Sequence, residues 1–417
     1  MDELSKVKYE IELLIKKINE ADKAYYVDSK PIMSDIEYDK LFDRLKVLEN
    51  EYPQFKKDDS PTKRVGSDID DSLPEKEHKI PVLSLDKCYS SNELNEWIIK
   101  TQKKSEINIE LTIEPKIDGA SVVLYYENGS LITALTRGNG YVGNDITNNI
   151  KTIRSVPLNI DFKGKIAVRG EVFIKKNDFK IFNEKYADGL YANPRNLASG
   201  SVRRLKSSET ALFPLNIFIY DGYFYDENFI NKNIDTLIFL KEQGFPVNSH
   251  LGFFSDNIDI KPLPFENAIG GKLTDIKDYL EHFKTIRDKI EYEIDGLVIK
   301  INDFNLRNEL GFTQHHPRWA IAFKFDAPLT QTKVISIVTQ IGRGGRATPV
   351  ANLEPVKLSG STISRATLHN QDYIDTLGVN IGDIVTISKR GDVIPAVEEV
   401  VEKGEYPSSY KIELFCP

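Results

Sequence analysis

The stretch Glu114-Pro115-Lys116-Ile117-Asp118-Gly119-Ala120-Ser121 lies between two segments that each predict a β-strand. Before it, residues 107–113 alternate apolar and polar side chains, which predicts a half-buried strand. After it, residues 121–126 predict a second strand, and Asp118-Gly119 supplies the turn between the two. Lys116 is therefore predicted at a strand-to-strand junction.

A lysine at such a junction is most often an ordinary surface residue. It becomes a nucleophile where burial or neighbouring cations lower the pKa of its amine. Further along the chain, Lys300 and Lys324 interrupt apolar strands, so cations of this kind are present. Residues 293–300, Glu-Ile-Asp-Gly-Leu-Val-Ile-Lys, also repeat the pattern of a carboxylate and Asp-Gly entering a strand. These features favour the nucleophilic interpretation.

The composition is that of an ordinary globular protein, and 417 residues predict about two to four domains. No apolar run approaches the roughly 18 residues of a membrane span, and the charged N-terminus does not resemble a signal peptide. Cys88 and Cys416 are too far apart to suggest a disulfide framework, so a reducing cytoplasm fits best. The formal charge of -8 argues against a protein coated in nucleic acid, but it does not exclude a local basic face.

Residues 1 to about 60 predict helices. Apolar side chains recur at helical spacing from Val7 to Ile18. A second helix is predicted from Ser34, which forms a capping box with Glu37, to a point near Pro53. Aromatic and acidic side chains lie near the point where the first predicted helix ends and the second begins. They are either solvated helix residues or a surface that binds a flat cationic ring. These side chains are Tyr25, Tyr26, Asp35, Tyr38 and Asp39.

The middle of the chain places polar residues inside predicted strands, which are expected to dominate from about residue 90 to 175. The glycine-rich residues 136–140 are either a turn or a phosphate-binding loop, and the turn is the simpler interpretation. Glu171 has apolar neighbours in its strand, so we expect it at a sheet edge or paired, unless it is functional. Lys116, Lys300 and Lys324 could bind a phosphate, and strand carboxylates such as Glu171 could bind a Mg2+ ion. Such an ion is typically held by one or two carboxylates plus phosphate oxygens.

Beyond Pro328, short strands alternate with glycine turns, as in a small β-barrel. Between Gln331 and Gln371 there are five basic residues and one acidic residue, a net charge of 5 - 1 = +4. This basic strip is either a nucleic-acid backbone contact or a solvated barrel face. Its basic residues are Lys333, Arg343, Arg346, Lys357 and Arg365.

The order of these motifs resembles that of the covalent nucleotidyltransferases. The shared motifs are Lys116-Ile117-Asp118-Gly119, Arg137 in Thr-Arg-Gly, Glu171 in Gly-Glu-Val-Phe, residues 295–300, and Lys324 in Ala-Phe-Lys-Phe. Additional features narrow the resemblance, from about residue 5 to 417, to the bacterial-type NAD+-dependent DNA ligases. These features are the N-terminal tyrosines and aspartates, Ala192-Asn193-Pro194-Arg195-Asn196, and Gly391-Asp392-Val393-Ile394-Pro395.

The resemblance implies a multidomain α+β fold. Residues 1–70 would form a small helical NMN-binding domain, and residues 71–328 an antiparallel-sheet nucleotidyltransferase (ATP-grasp-like adenylation) domain. Residues 329–408 would form an OB-fold β-barrel, and 409–417 the stub of a zinc finger. Cys416 would be its first ligand, but one cysteine cannot hold a structural zinc, so Zn2+ is expected only in a full-length family member. The chain is expected to be a fragment or a naturally short form that adenylates itself but seals nicks poorly.

The resemblance also implies a three-step reaction in DNA replication and repair. Lys116 would attack the adenylyl phosphate of NAD+ and release nicotinamide mononucleotide (NMN). The AMP would then pass to the 5′-phosphate of a nick, and the adjacent 3′-hydroxyl would displace it. The two neighbouring lysines are expected to lower the pKa of Lys116.

The family implies a role for each motif residue. Catalytic roles would belong to Lys116, Asp118, Arg137, Lys300 and Lys324. Contacts with NAD+ would involve Tyr25, Tyr26, Asp35, Tyr38, Asp39, Ser84, Leu85, Glu114, Lys116, Arg137, Glu171, Lys300 and Lys324. Within this set, Glu114 would contact adenine, and the two strand lysines would hold the α-phosphate. Mg2+, or Mn2+ in its place, would be bound by Glu171 and Asp295. DNA would be contacted by Arg195, Arg343, Arg346 and Arg365.

The implied partner is nicked duplex DNA, with no membrane, and the implied state is a cytoplasmic, nucleoid-associated monomer. Two alternatives remain. An ATP- or GTP-using polynucleotide ligase or capping enzyme would share the Lys-x-Asp-Gly motif and the lysine strands, but not the tyrosine-aspartate helices. A catalytically silent nucleic-acid-binding protein would retain the barrel, and the presence of all the motif lysines and carboxylates weighs against it.

Overall fold

A computed structural model divides the chain into two compact units, Met1–Phe325 and Asp326–Pro417. The residues that it describes are 3–26, 32–33, 35–57, 60–63, 73–105, 108–186, 191, 193–226, 229–256, 262–313, 316–325, 329–341, 347–358, 361–390, 394–406 and 408–412.

The described residues form helices and strands throughout both units. The helices are α1 (Glu3–Tyr26), α2 (Asp35–Glu51), α3 (Ser91–Ser105), α4 (Thr147–Lys151), α5 (Lys176–Tyr186), α6 (Pro194–Ser201), α7 (Ser207–Thr210), α8 (Asn233–Glu242), α9 (Ile276–Ile286), α10 (Phe304–Leu310) and α11 (Gln371–Leu377). The strands are β1 (Glu75–Glu77), β2 (Asp86–Cys88), β3 (Glu110–Ile117), β4 (Ala120–Glu127), β5 (Ser130–Thr136), β6 (Val142–Asn144), β7 (Lys165–Phe173), β8 (Asn216–Phe224), β9 (Gly252–Ser255), β10 (Ile269–Gly271), β11 (Ile294–Ile301), β12 (Ala320–Lys324), β13 (Leu329–Ile341), β14 (Ala347–Leu358), β15 (Ser361–Thr367), β16 (Ile384–Arg390) and β17 (Ile394–Glu402).

The two N-terminal helices pack along one apolar seam. Ile11 and Ile18 of α1 are buried in the same cluster as Leu45 and Leu48 of α2. This arrangement confirms the helices predicted from apolar spacing, although the capping residue Ser34 lies outside the described residues. No helix in the described part of the chain has the length and apolarity that a bilayer span requires.

β3 and β4 belong to different sheets. β3 lies in a six-stranded sheet of order β10-β9-β3-β11-β12-β2, and β4 lies in a four-stranded sheet of order β5-β4-β7-β8. Neighbours are antiparallel in both sheets, except for the pairs β9–β10 and β2–β12. The predicted turn at Asp118-Gly119 therefore carries the chain from one sheet to the other, and Lys116 lies one residue before the end of β3.

The prediction that β3 is half-buried was wrong. Thr112 and Glu114, on the polar face of the strand, are 0% and 5% exposed. They are covered because Asn233 of α8 and Lys300 of β11 make polar contacts on this face. The apolar side chains of β3, among them Leu111 and Ile113, lie in the hydrophobic core. Polar and apolar side chains do alternate along β3, but both faces of the strand are buried. One face lies in a polar interior and the other in the hydrophobic core.

The prediction that strands dominate residues 90–175 missed α3. Leu94, Ile98 and Thr101 are buried along one side of this helix, at the spacing of an amphipathic helix. The hydroxyl of Ser90 accepts a hydrogen bond from the backbone N–H of Glu93, which is an N-capping contact. Both signals were present in the sequence. Glu171, for its part, does not lie at a sheet edge, because β7 lies between β4 and β8.

The second unit is a closed barrel of order β13-β14-β15-β17-β16. Its interior is apolar and includes Val334, Leu353, Val385 and Val397. The predicted barrel is confirmed, but β13 and β14, with 13 and 12 residues, are not short. Each contains a register shift where it pairs with a neighbour, and such bulges bend a long strand enough to help close a barrel.

The crossing at Gly119 yields a first prediction. An alanine Cβ at this position would lie 2.2 Å from the carbonyl oxygen of Val172, so β4 and β7 would have to separate. We expect Gly119→Ala to lower the free energy of unfolding by about 1–3 kcal/mol in denaturant titration.

Gly200→Ala is the matched control, because the Cβ there would meet no atom closer than Tyr191 at 3.9 Å. This helical glycine should tolerate alanine or gain stability from it. Equal stability of the Gly119→Ala variant and the unmodified protein would contradict the close packing described.

Candidate active site

Three neighbouring strands bring two lysines and one aspartate together. Gly296 of β11 lies opposite Lys116 of β3 on one side and opposite Lys324 of β12 on the other. A side chain at Gly296 would not fit, because its Cβ would lie 2.1 Å from the carbonyl oxygen of Phe323. One residue earlier, Asp295 accepts hydrogen bonds at Oδ2 from Lys116 Nζ at 3.0 Å and from Lys324 Nζ. The structure thus joins three of the predicted site residues in one ion-paired group.

The electrostatics of Lys116 differ from the prediction. Burial alone would lower the pKa of the amine, but Asp295 raises it through both its charge and its hydrogen bond. Glu171 and Asp118 raise it further, and the net pKa of Lys116 lies above its ordinary value of 10.5. The prediction that neighbouring lysines depress this pKa was wrong, because carboxylates surround the amine. Lys116 is therefore an ammonium ion that must lose a proton before it can act as a nucleophile.

Lys300 forms a separate buried pair. It lies opposite Thr112, four positions along β11 from the residue that faces Lys116. Its Nζ contacts Glu114 Oε1 at 2.8 Å, with only 6% and 7% of the two side chains exposed. The same Nζ donates to the carbonyl oxygen of Tyr220 at 2.7 Å and lies over the Tyr220 ring. Lys300 and Glu114, both predicted site residues, therefore neutralise each other in the interior.

The second sheet supplies Glu171, Asp118 and Arg195 close to Lys116. Glu171 of β7 lies opposite Ser121, just after the crossing turn. Burial raises the pKa of Glu171 to about 7, against the opposing influence of the Lys116 and Arg195 cations. Arg195 Nη1 donates to Asp118 Oδ1 at 2.6 Å. The pair connects the first turn of α6 to the Lys-x-Asp-Gly turn.

Arg137 and Ser84 meet at the surface. Arg137 Nη2 donates to Ser84 Oγ at 2.5 Å, and His316 Nδ1 lies 3.1 Å from the carbonyl oxygen of Ser84. Leu85, the next residue, is partly buried against the core of the six-stranded sheet. Arg137 and His316 thus both contact Ser84. His316 belongs to no motif recognised in the sequence, so it was not predicted.

Several predicted site residues fall outside what the structure describes. Tyr25, Tyr26, Asp35 and Asp39 belong to α1 and α2, but their side chains are not among the described ones. Tyr38 is partly buried and stacks on Phe42 within the seam of the N-terminal helices. The following predicted residues also lie outside the described residues: Arg343, Arg346 and Cys416.

Arg365 is the member of the predicted DNA-binding set that the structure describes in the barrel. It is exposed on β15, opposite Asn352 of β14. Exposure leaves it free to contact a partner, and a solvated barrel face would look the same.

Glu171 and Asp295 are the carboxylates that could hold a metal ion beside Lys116. Asp295 Oδ1 is buried, and no described residue donates a hydrogen bond to it. Carboxylate oxygens suit Mg2+, which keeps several other ligands as water or phosphate oxygens. The described residues contain no group of three or more His, Cys, Asp or Glu side chains that could form a complete metal cage. The donor set therefore fits an ion that a phosphate helps to bind.

Sequence reasoning missed two residues of the buried polar interior. Tyr220 of β8 places its hydroxyl 3.0 Å from Ser121 Oγ and its carbonyl oxygen on Lys300. Asn233, the first residue of α8, is fully buried and contacts Thr112 and Glu114. The available signal was a polar residue next to an apolar run, which is too common to single out either residue.

Family models match nearly all of the chain. An N-terminal NAD+-binding domain of the DNA ligase type matches residues 4–66, and an NAD-dependent DNA ligase adenylation domain matches residues 70–328. An NAD-dependent DNA ligase OB-fold domain matches residues 331–409. The barrel therefore has the predicted OB-fold identity.

Curated relatives agree with the family models. A DNA ligase of Borreliella burgdorferi (strain ZS7) is 49% identical over 413 residues, covering 99% of this chain and 60% of the relative. A DNA ligase of Borrelia recurrentis (strain A1) is 46% identical over 415 residues, with the same coverage. One of Borrelia hermsii (strain HS1 / DAH) is 47% identical over 407 residues, covering 97% of this chain and 58% of the relative. The chain thus spans about 60% of the length of these relatives, and it belongs to the NAD-dependent DNA ligase family.

Proposed function

We propose that this chain performs the chemistry of an NAD+-dependent DNA ligase, with Lys116 as the nucleophile. In the first step a bond forms between Lys116 Nζ and the adenylyl phosphorus of NAD+, and the bond from that phosphorus to NMN breaks. The 5′-phosphate of a nick then attacks the same phosphorus, which breaks its bond to Lys116 Nζ and leaves AMP on the nick. The 3′-hydroxyl attacks that phosphate and expels AMP, which seals the strand.

The observation that carries this proposal is the position of Lys116. It lies where two sheets meet, in contact with Asp295 at 3.0 Å and, through it, with Lys324. Phosphoryl transfer gains mainly from positioning and from cations around the developing charge. Lys324 supplies such a cation, and Asp295 fixes the direction of the Lys116 amine. The ammonium proton must leave before the bond to phosphorus forms, and Asp295 is the acceptor in direct contact with it.

The family resemblance supports a role for each of the remaining motif residues. Glu114 would contact adenine, and Lys300 with Lys324 would hold the α-phosphate. Arg137, with Ser84 and Leu85, would border the nucleotide. Glu171 and Asp295 would hold Mg2+, which neutralises phosphate charge when it is bound. Mn2+ could take its place. Zn2+ would require ligands in addition to Cys416.

DNA would be the macromolecular partner. Arg195 is part-buried in its pair with Asp118, so it is set to orient a phosphate close to Lys116. The basic strip of the barrel would contact the backbone of nicked duplex DNA, with Arg343, Arg346 and Arg365 as contacts. We also propose that the protein acts as a cytoplasmic monomer. The proposed domains are 1–70 for NMN, 71–328 for adenylation and 329–408 for the barrel.

The nucleophile assignment is tested by intact mass measurement after incubation with Mg2+ and either NAD+ or ATP. We expect NAD+ to add one AMP per chain, mapped to Lys116, and ATP to add none. Lys116→Ala should abolish the adduct, because it removes the amine that lies where the two sheets meet. Lys165→Ala, which removes an exposed lysine paired with Glu127, should adenylate normally. An adduct from ATP would favour an ATP-using enzyme, and an adduct on Lys300 or Lys324 would refute the assignment.

The role of the N-terminal helices is tested with two substrates. Tyr25→Ala and Asp39→Ala should reduce self-adenylation from NAD+ at least about tenfold, because an aromatic face and a carboxylate attract the cationic nicotinamide ring. Sealing of a nick that already carries AMP should not change, since that step needs no nicotinamide.

Tyr9→Ala and Asp43→Ala are matched controls, because both residues are exposed on α1 and α2. They should behave like the unmodified protein. A parallel loss of both reactions in the Tyr25 and Asp39 variants would indicate general destabilisation and would count against NMN binding by these helices.

A further inference from the structure

A buried asparagine lies behind the adenylation site and has no role in the reaction proposed above. Asn233 is 0% exposed and begins α8. Its backbone N–H donates to the carbonyl oxygen of Asn302 at 2.8 Å. The Asn302 side chain accepts in turn from the N–H of Ile234 at 2.9 Å. The start of α8 is therefore fixed to the end of β11, and the Asn233 side chain has a defined position.

The amide of Asn233 contacts two residues on the polar face of β3. Its Nδ2 donates to Thr112 Oγ1 at 3.0 Å and to Glu114 Oε1 at 3.4 Å. The opposite orientation of the amide would direct its oxygen at a carboxylate, which is unfavourable. The NH2 group must therefore face Glu114, where it donates to a carboxylate oxygen at the long distance of 3.4 Å.

Glu114 is consequently held from two directions. Oε1 contacts Lys300 Nζ at 2.8 Å and receives the Asn233 amide. With the Lys300 ammonium paired to Oε1 and the Asn233 amide donating to the same oxygen, no described residue donates a hydrogen bond to Oε2, which is left to accept one. Among the described residues, contacts at Oε1 alone therefore restrain the rotation of this carboxylate.

We propose that Asn233 is a positioning residue that acts through Glu114 and sets the preference of the enzyme for a 6-amino purine over a 6-oxo purine. The inference rests on the proposed function, in which Glu114 contacts adenine. A fixed Oε2 accepts a hydrogen bond from the 6-amino group of adenine. The 6-oxo group of hypoxanthine would instead face the carboxylate oxygen with another acceptor, and this mismatch in a buried site is strongly rejected.

The discrimination depends on Glu114 being unable to turn away. Without the Asn233 amide, the contact that remains at Glu114 Oε1 among the described residues is the ion pair with Lys300, and the carboxylate can rotate about that contact. A rotated carboxylate no longer opposes the 6-oxo group, so the rejection of hypoxanthine weakens. A purely structural role for Asn233 would have a different result, since instability lowers the rates with both dinucleotides equally.

The test compares NAD+ with nicotinamide hypoxanthine dinucleotide in single-turnover adenylation of the full chain. The readout is the ratio of the two second-order rate constants. We expect Asn233→Ala to reduce this ratio about tenfold or more relative to the unmodified protein. Asn248→Ala is the matched control, because it removes another buried amide. The Nδ2 of Asn248 donates a hydrogen bond to the Tyr292 hydroxyl at 2.7 Å. The Asn248→Ala substitution should cost stability without changing the ratio.

Two further variants keep the test decisive if Asn233→Ala folds poorly. Asn233→Ser retains a small polar side chain beside Thr112 but is one atom too short to reach Glu114, so it should lower the ratio in the same way. Glu114→Gln should also lower it, and adding Asn233→Ala to Glu114→Gln should cause no further change in the ratio. An unchanged ratio in Asn233→Ser or in Glu114→Gln would overturn the proposal.

The outcomes separate this inference from the proposed function. An unmodified protein that forms no lysyl-AMP from NAD+ would refute the function itself. A protein that adenylates normally, but whose Asn233 variants retain the original ratio, would refute only the role of Asn233.

Discussion

The site depends on one carboxylate shared by two lysines. Lys116 and Lys324 approach each other across β3, β11 and β12, and Asp295 accepts a hydrogen bond from each. Two ammonium groups in a largely buried place repel each other unless an anion lies between them. Removing one partner of a buried pair costs about 3–5 kcal/mol, because it leaves an uncompensated charge. The same contact that allows the lysines to lie together also raises the pKa of Lys116, so the proposed adenylation would have to begin by weakening this contact.

The second constraint is the crossing between the sheets. Because β3 and β4 are joined through Asp118-Gly119 but pair in different sheets, one short turn faces residues from both. The six-stranded sheet contributes the lysines and Asp295, and the four-stranded sheet contributes Glu171. Arg195 donates a hydrogen bond to Asp118 and so stabilises the Asp118-Gly119 turn. If Lys116 acts as the proposed nucleophile, its place beside the turn between two hydrogen-bonded sheets favours precise positioning.

The spacing of apolar and polar residues in the sequence predicted those features of the structure that depend on residues close together in the chain. The strands around Lys116, the lysine strands β11 and β12, and the barrel all follow from alternation and glycine turns. α3 was missed although its spacing was visible, because strand signals on its C-terminal side dominated the interpretation. The pKa of Lys116 could not be predicted with the correct sign, since Asp295 lies 179 positions away in sequence and the register of β3 with β11 decides the contact. The roles of Asn233 and Tyr220 could not be predicted for the same reason, because their hydrogen-bond partners lie on other strands.

The most direct test measures the pKa of the Lys116 amine in nucleotide-free protein, from the pH dependence of its acylation rate mapped by peptide mass spectrometry. The account predicts a pKa above the ordinary 10.5, because Asp295 stabilises the ammonium form. It further predicts that Asp295→Asn lowers the pKa, since the carboxylate charge is lost while burial and the Lys324 cation remain. A pKa below 10.5 in the unmodified protein, or one that Asp295→Asn leaves unchanged, would contradict the claim that this carboxylate controls the nucleophile.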